Sequence, residues 1–380
     1  MDIIRLEHSK AEVSRAGKML LTIGPDSSEF DAALATVQNF RSSHDFPLRI
    51  LLEKLRKRAQ QIDRHAVIVS RLKRVPSTLK KLSLMPNLKL SEMQDIAGCR
   101  AIVRKIQDID KICTIFREQD AGDLIRVDDY MREPKSSGYR SLHIIYRFRT
   151  EFEGLELFNG HKVEIQLRTE MQHDWATAVE TVAIILGADL KANEGDPRWL
   201  RFFALAAGAF SLMEKCPAVP NTPETQRELI SELQGLWIEL NIPVILDGCT
   251  RAVDLVEVGS NSADHTFLII LDARGEQVSV SSRGFKRTDA REYTEAYNRA
   301  EAETVGVPEI QVALVTVEDI QQLREAFPNY RVDTERFVTR MQWIVDRVSI
   351  DRDPKWIKKS ADDEKQLEFE YDTDSLESSE

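Results

Sequence analysis

Four short apolar runs follow Pro86: CRAIVRKI, DLIRVDDYM, SLHIIYRFR and KVEIQLRT, each bounded by polar or Gly-containing segments. Runs of this length and makeup read as strands. DIDKICTIFRE, between the first two, has the spacing of a helix. The order strand, helix, strand, loop, strand, strand predicts an α+β unit with a β-sheet flanked by helices. KVEIQLRT is the sharpest case. Period two sends Val163, Ile165 and Leu167 to one face and Glu164, Gln166 and Arg168 to the other. That polar face is either a water-facing strand or an active-site floor.

At 380 residues the chain exceeds one ordinary core, so two folded units with flexible ends are expected. Residues 1–50 read as a helical lead-in. The segment from Leu48 to Met85 reads as helices, apolar on one face and basic on the other, interrupted near Pro76. A long helix is expected from Glu170 to about Leu190, and RWLRFFALAAGAFSLME predicts another. CPAVPNTPET, with three prolines in ten residues, reads as a linker or hinge, placing a boundary near residue 220. Beyond it, RELISELQGLWIEL, REYTEAYNRAEAET, DIQQLREAF and ERFVTRMQWIVDRV predict helices. HTFLIILD, QVSVSS and IQVALVTV predict strands of a second, small α+β domain. The tail from Ser360 is acidic and Ser-rich, and disorder is expected there.

No apolar run approaches the roughly 18 residues of a membrane span, and MDIIRLEHSKAEVSRAGK lacks an apolar signal core, so a cytoplasmic protein without membrane contact is expected. Four scattered cysteines without a C-x-x-C pair argue against a zinc site or a disulfide framework. The net charge of −11 disfavours a general nucleic-acid binder, yet it conceals an asymmetry. From Leu52 to Lys81 ten Lys or Arg face two acids, while from Ala361 to Glu380 nine acids face Lys365 alone. The basic block fits polyphosphate or RNA, or else a solvated helix face.

EPKSSGYRSLH, residues 133 to 143, joins turn formers to Lys135, Tyr139, Arg140 and His143. A plain turn has no use for that chemistry, whereas a loop gripping a phosphorylated aromatic ligand does. In RLKRVPSTLKK, Arg71, Lys73, Ser77, Lys80 and Lys81 gather along one stretch. Together with Lys135, Arg140 and His143 they supply the cations expected for a triphosphate. Asp95, in DIAGCR, either caps a turn or pairs with Glu164 as a two-carboxylate site for magnesium bridging polyphosphate oxygens. G-x-x-x-x-G-K-[ST] and G-x-G-x-x-G are both missing, so side chains must hold any nucleotide.

RLKRVPSTLKKL, DIAGCR, DDYMREPKSSGYRSLH and VEIQLRTEMQHDWA occur in the order and approximate spacing of the RelA/SpoT-type alarmone synthetases. The resemblance covers about residues 50 to 185. It implies a nucleotidyltransferase-like mixed β-sheet that transfers the β,γ-pyrophosphate of ATP to the ribose 3′-hydroxyl of GDP or GTP, giving (p)ppGpp and AMP. Position by position, it implies that Arg71 stacks on adenine while Lys73, Ser77 and Lys81 hold ATP phosphates. Asp95 would bind Mg2+, and Glu164 would sit beside the attacking hydroxyl as second metal ligand or general base. Lys135 and His143 would contact phosphates, Tyr139 would stack on guanine, and Gln166 and Arg168 would complete the floor. In-line transfer needs neutralised charge and positioning more than covalent chemistry, which suits this set.

The implied division is a pyrophosphokinase domain at 51–215, a linker at 216–222, a regulatory domain at 223–350 and a tail at 360–380. His44-Asp45 and His173-Asp174 lack the other ligands of the family's hydrolase signature, so a synthetase without hydrolysis is expected. WATAVETVAIILG replaces the family's usual finish to the helix after VEIQLRT. A fused C-terminal unit resembles that of toxic small alarmone synthetases of the CapRel-like kind. There FPNY, Phe327 to Tyr330, stands where a YxxY motif is expected, or simply ends a helix. Two further readings stay open: a toxin that pyrophosphorylates the tRNA 3′ end under autoinhibition by its own C-terminal domain, and an inactive nucleotide-binding sensor. Both leave room for a protein trigger and for an oligomer.

Overall fold

The computed structural model describes residues 4–24, 27–119, 123–185, 195–259, 264–272, 274, 279–304, 307, 310–317, 320 and 330–347. The chain opens with α1 (Lys10–Met19), α2 (Ser28–Ser42) and α3 (Asp45–Ile62). Ser9 and Ser27 cap the first two, each hydroxyl accepting a first-turn backbone N–H. Then come β1 (Val67–Leu72), α4 (Val75–Leu84), β2 (Ala97–Val103), α5 (Ile106–Gln119), β3 (Leu124–Asp129), β4 (Leu142–Arg147) and β5 (Lys162–Thr169).

These strands form one mixed sheet in the order β1-β2-β5-β4-β3, with β2 and β5 parallel and the other neighbours antiparallel. Central β5 buries Val163, Ile165 and Leu167 completely against a core that includes Leu51 and Leu55 of α3 and Ile109 and Phe116 of α5. Each such side chain contributes roughly 1.5–3 kcal/mol. Period two then leaves Glu164, Gln166 and Arg168 on the face that α3 and α5 do not cover. The expectation of helix through Val67–Leu72 is corrected: this segment is the edge strand β1, with Arg71 opposite Gly98 and Val67 opposite Ile102. Its Val-Ile-Val run suits a pleated surface, and pairing with β2 supplies the hydrogen bonds a helix would have supplied. Pro76 sits in the first turn of α4, where its missing N–H costs nothing.

The lead-in helices support the approach to β2. Val13 and Ala16 of α1 and Val37 and Phe40 of α2 share a core with Leu82, Leu90, Met93 and Ile96. Met93 and Ile96 flank Asp95, so burying them fixes where its carboxylate emerges.

β5 runs directly into α6 (Glu170–Ile185), followed by α7 (Pro197–Met213), α8 (Gln226–Glu239) and α9 (Ile242–Gly259). α9 was not anticipated. β6 (Thr266–Asp272), β7 (Ser279–Phe285), α10 (Ala290–Thr304), β8 (Ile310–Thr316) and α11 (Tyr330–Val345) complete the described elements. The three strands form a second, antiparallel sheet in the order β7-β6-β8. One face carries α10 through Leu268, Phe285 and Ala300, and the other joins a core built from α6, α7, α8, α9 and α11. That core runs unbroken past the Pro-rich stretch, whose Val219 is buried in it. DIQQLREAF apart from Ile320, residues 327–329 of FPNY, 186–190 of the long helix and the acidic tail lie outside the described residues.

α11 grips α6 through buried charge. Asp174 accepts hydrogen bonds from Arg340 and from Arg336 Nη2, the latter at 2.8 Å. His173 Nε2 lies 3.1 Å from Asp333 Oδ2. Both His-Asp positions named above therefore have structural partners, since His44 Nδ1 also lies 2.8 Å from the Phe40 carbonyl. Among the described residues no single helix is long and apolar enough to cross a membrane, and the bent pair α8–α9 that comes nearest contributes to the core.

Candidate active site

The polar face of β5 is not a plain water-facing strand, because each of its side chains is engaged by a neighbour. Gln166 Nε2 donates to Glu164 Oε2 at 2.9 Å, and Arg100 Nε donates to Gln166 Oε1 at 3.2 Å. His143 comes from β4, directly opposite Gln166, and its Nδ1 lies 3.0 Å from Glu164 Oε1. Its Nε2 lies 2.8 Å from the Tyr139 hydroxyl, to which Arg168 Nη2 donates at 2.8 Å. A continuous chain thus runs Glu164, His143, Tyr139, Arg168.

The chain sets its own charge states. Burial alone would push the Glu164 carboxyl up, but the bond and charge of His143, with Gln166 and Lys81, hold it at about 2. Burial would push His143 down, yet the hydrogen bond to Glu164 and the charges of Tyr139 and Glu164 carry it above the ordinary value. Burial would raise the Tyr139 phenol; Arg168 and His143 overcome that and bring it down to about 7.

The second carboxylate, Asp95, sits just before β2. Lys81 Nζ lies 2.9 Å from its Oδ1 and Lys73 Nζ 3.2 Å from its Oδ2. Burial, only partly offset by Asp95, lowers the Lys73 ammonium. Asp95 and Glu164 border one cavity of about 390 Å3 together with Lys81, Lys135, Tyr139 and His143. The same two carboxylates border a narrow cleft with Arg71, Arg100 and Gln166. Ser77, in the first turn of α4, borders neither. A larger cavity of about 830 Å3 opens beside α1, but none of the predicted site residues lines it.

Sequence reasoning missed two walls of the 390 Å3 cavity. One is polar: Gln94, with Arg126 and Asp128 on β3 and Tyr130 just after it, whose ring lies 4.6 Å from Lys135 Nζ. The other is apolar: Trp175 and Val179 from α6, Leu200 and Phe203 from α7. DLIRVDDYM displays the polar wall, but nothing local marks which of its side chains face inward. Arg140 is a correction. It is buried and ion-paired to Glu214, so it does not join Lys135 and His143 as a phosphate cation. A side chain turned into the core cannot reach a ligand on the sheet face.

Gly138 explains how the loop comes so close to α7. Its φ is +91°, and a Cβ there would lie 2.8 Å from the Ala207 Cβ and 3.0 Å from the Phe203 carbonyl. Gly138→Ala is expected to cost about 1–3 kcal/mol from backbone strain alone. An unchanged denaturant midpoint would contradict this fit.

Residues 70–183 match the family described as a region found in RelA / SpoT proteins. Over 138 residues the chain is 32% identical to GTP pyrophosphokinase YjbM of Bacillus subtilis (strain 168), covering 34% of this chain and 63% of that one. Over 98 residues it is 32% identical to GTP pyrophosphokinase YwaC of the same strain, covering 26% of this chain and 46% of that one. The crystal structure of small alarmone synthetase 1 from Bacillus subtilis bound to its product pppGpp aligns at 25% identity with a TM-score of 0.37, over 44% of this chain and 90% of that chain. The chain thus spans less than two thirds of the length of either pyrophosphokinase. The matched region is homologous to theirs and contains every predicted site residue from Arg71 to Arg168. Glu214 and α7 lie beyond it.

Proposed function

We propose that this RelA/SpoT region transfers the β,γ-pyrophosphate of ATP to the ribose 3′-hydroxyl of GDP or GTP, giving (p)ppGpp and AMP. The observation that carries the reading is Glu164, an ionised carboxylate facing the cavity that Asp95 and Lys81 also border. In the reaction the 3′-oxygen bonds to the β-phosphorus, the bond from that phosphorus to the α,β-bridging oxygen breaks, and AMP leaves with the electron pair. The hydroxyl proton goes to Glu164, whose Oε1 lies 3.0 Å from His143 Nδ1. Lys73, Lys81 and Arg71 neutralise and orient the donor phosphates and adenine. Lys135, Tyr139 and the β3 wall take the acceptor, and the apolar wall excludes water.

Among the described residues no cluster of three or more His, Cys, Asp or Glu forms a metal cage. Asp95 and Glu164 nonetheless fit Mg2+, because they border one cavity and magnesium in such sites takes one or two carboxylates plus substrate phosphates. When bound, Mg2+ would neutralise charge on the bridging phosphate oxygens.

The test offers ATP with GDP, GTP, ATP and tRNA as competing acceptors. The expected result is AMP equimolar with a 3′-pyrophosphorylated guanosine nucleotide. AMP matched by γ-phosphate label on tRNA, and lost steeply with salt, would reassign the acceptor. No AMP with any acceptor would sink the reading in favour of a nucleotide sensor.

A further inference from the structure

We infer that Glu214, outside the matched region, is a positioning residue that sets the Tyr139–Arg168 pair. Glu214 follows the last residue of α7, and its carboxylate is almost wholly enclosed, with 3% of the side chain exposed. It accepts hydrogen bonds from Arg140, from the Thr169 hydroxyl and, at 3.2 Å, from Gln172 Nε2. Arg140 is the residue after Tyr139, and Thr169 is the residue after Arg168. Thr169 and Gln172 also cap α6 reciprocally. The Thr169 N–H donates to Gln172 Oε1 and the Gln172 N–H to Thr169 Oγ1, each at 3.2 Å. One anion therefore ties together the acceptor loop, the end of β5 and the start of α6.

Taking an ion pair out of water brings little net stability over well-packed apolar side chains, so stability alone gives no reason for one here. What the pair does fix is geometry, because a buried carboxylate with three converging donors has one arrangement that satisfies them all. The adjacent Tyr139 and Arg168 must then meet at 2.8 Å, and through His143 that contact reaches Glu164. Misplacing such groups by about 1 Å can cost on the order of 10²-fold in rate. The effect on turnover rests on the pyrophosphate-transfer reading; the effect on Tyr139 does not.

Among the described residues, the titratable and charged groups acting on the Tyr139 ring and hydroxyl are Arg168, His143, Tyr130 and Lys135 by contact and Arg100 of β2 through its charge. The test is ultraviolet difference titration of the full chain against its Tyr139→Phe counterpart, in the wild-type and Glu214→Gln backgrounds. The wild-type phenol is expected to ionise near neutrality. Glu214→Gln, which keeps the side-chain shape, is expected to move that ionisation up toward the ordinary tyrosine range of about 10 as Arg168 drifts away. On turnover, kcat should fall roughly 10²-fold with KM for ATP unchanged, since the donor cations lie elsewhere. The double variant Arg140→Met, Glu214→Leu removes both buried charges. It should regain thermal stability without regaining kcat or the low Tyr139 ionisation. An unmoved titration in folded Glu214→Gln, or recovery of the titration along with stability in the double variant, would overturn the inference. If the wild type transfers nothing, the titration still decides.

Discussion

Glu164→Gln is expected to lower kcat for pyrophosphate transfer by about 10²–10⁴-fold, the range that loss of a positioned acid or base produces, with KM for ATP changed little. The substitution preserves shape and can still accept from Gln166, which donates at 2.9 Å. It removes the negative charge that faces His143 at 3.0 Å and any capacity to receive the ribose proton. Steady-state rates of AMP release at several pH values measure the effect. Since the carboxyl is held at about 2, it stays ionised across the working range and sets no acid limb there. Rate loss on acidification belongs to the other members of the chain. A stability effect follows with the opposite experimental signature. A carboxyl lowered in the fold contributes stability that is complete above its unfolded value and is lost as pH falls toward about 2, so unfolding of Glu164→Gln should depend less on acid. Full turnover in the variant would remove Glu164 from the reaction.

Asp174→Ala is expected to destabilise the fold by about 3–5 kcal/mol, the cost of leaving a buried partner charge uncompensated. The Asp174 side chain is fully enclosed, and Arg340, which donates to it, is nearly so. Arg336 adds a half-exposed contact at 2.8 Å, discounted for solvent screening. Arg340 also approaches Glu170 at 3.5 Å. Chemical denaturation gives the magnitude, and adding Arg340→Met to Asp174→Ala should recover most of the loss. A single variant as stable as wild type would mean that the α6–α11 ion pairs hold nothing.

The floor of the site was legible because a strand's period is local. Reading KVEIQLRT in twos already separates Glu164, Gln166 and Arg168 from the core, and the fold keeps them on one face. Tyr139 is legible as chemistry out of place in a turn, whereas Asp95 reads equally as a turn cap or as a partner of Glu164. The edge strand β1 was not legible. Val67–Leu72 is short and lies between basic stretches with helical spacing, so its β-branched residues were outvoted by their neighbours. Only the backbone of β2 decides between the two conformations. Arg140 and Glu214 were beyond reach for a different reason. They are 74 residues apart, and no pattern within either segment signals the other. α7 was legible as a helix. Its service as a wall of the 390 Å3 cavity depends on Gly138, Trp175 and Phe203 meeting in space.

The clasp between α6 and α11 also imposes an order in time. A chain emerging from the ribosome completes β5 and α6 well before Arg336 and Arg340 exist, so Asp174 must wait about 160 residues for the two arginines that neutralise it. Until then the helix that continues the Glu164 strand lacks the ion pairs that α11 supplies. A chain cut short before residue 336 would carry every predicted nucleotide contact and still lack the fastening beneath them. Completeness of synthesis is thereby written into the stability of the elements behind the sheet's polar face.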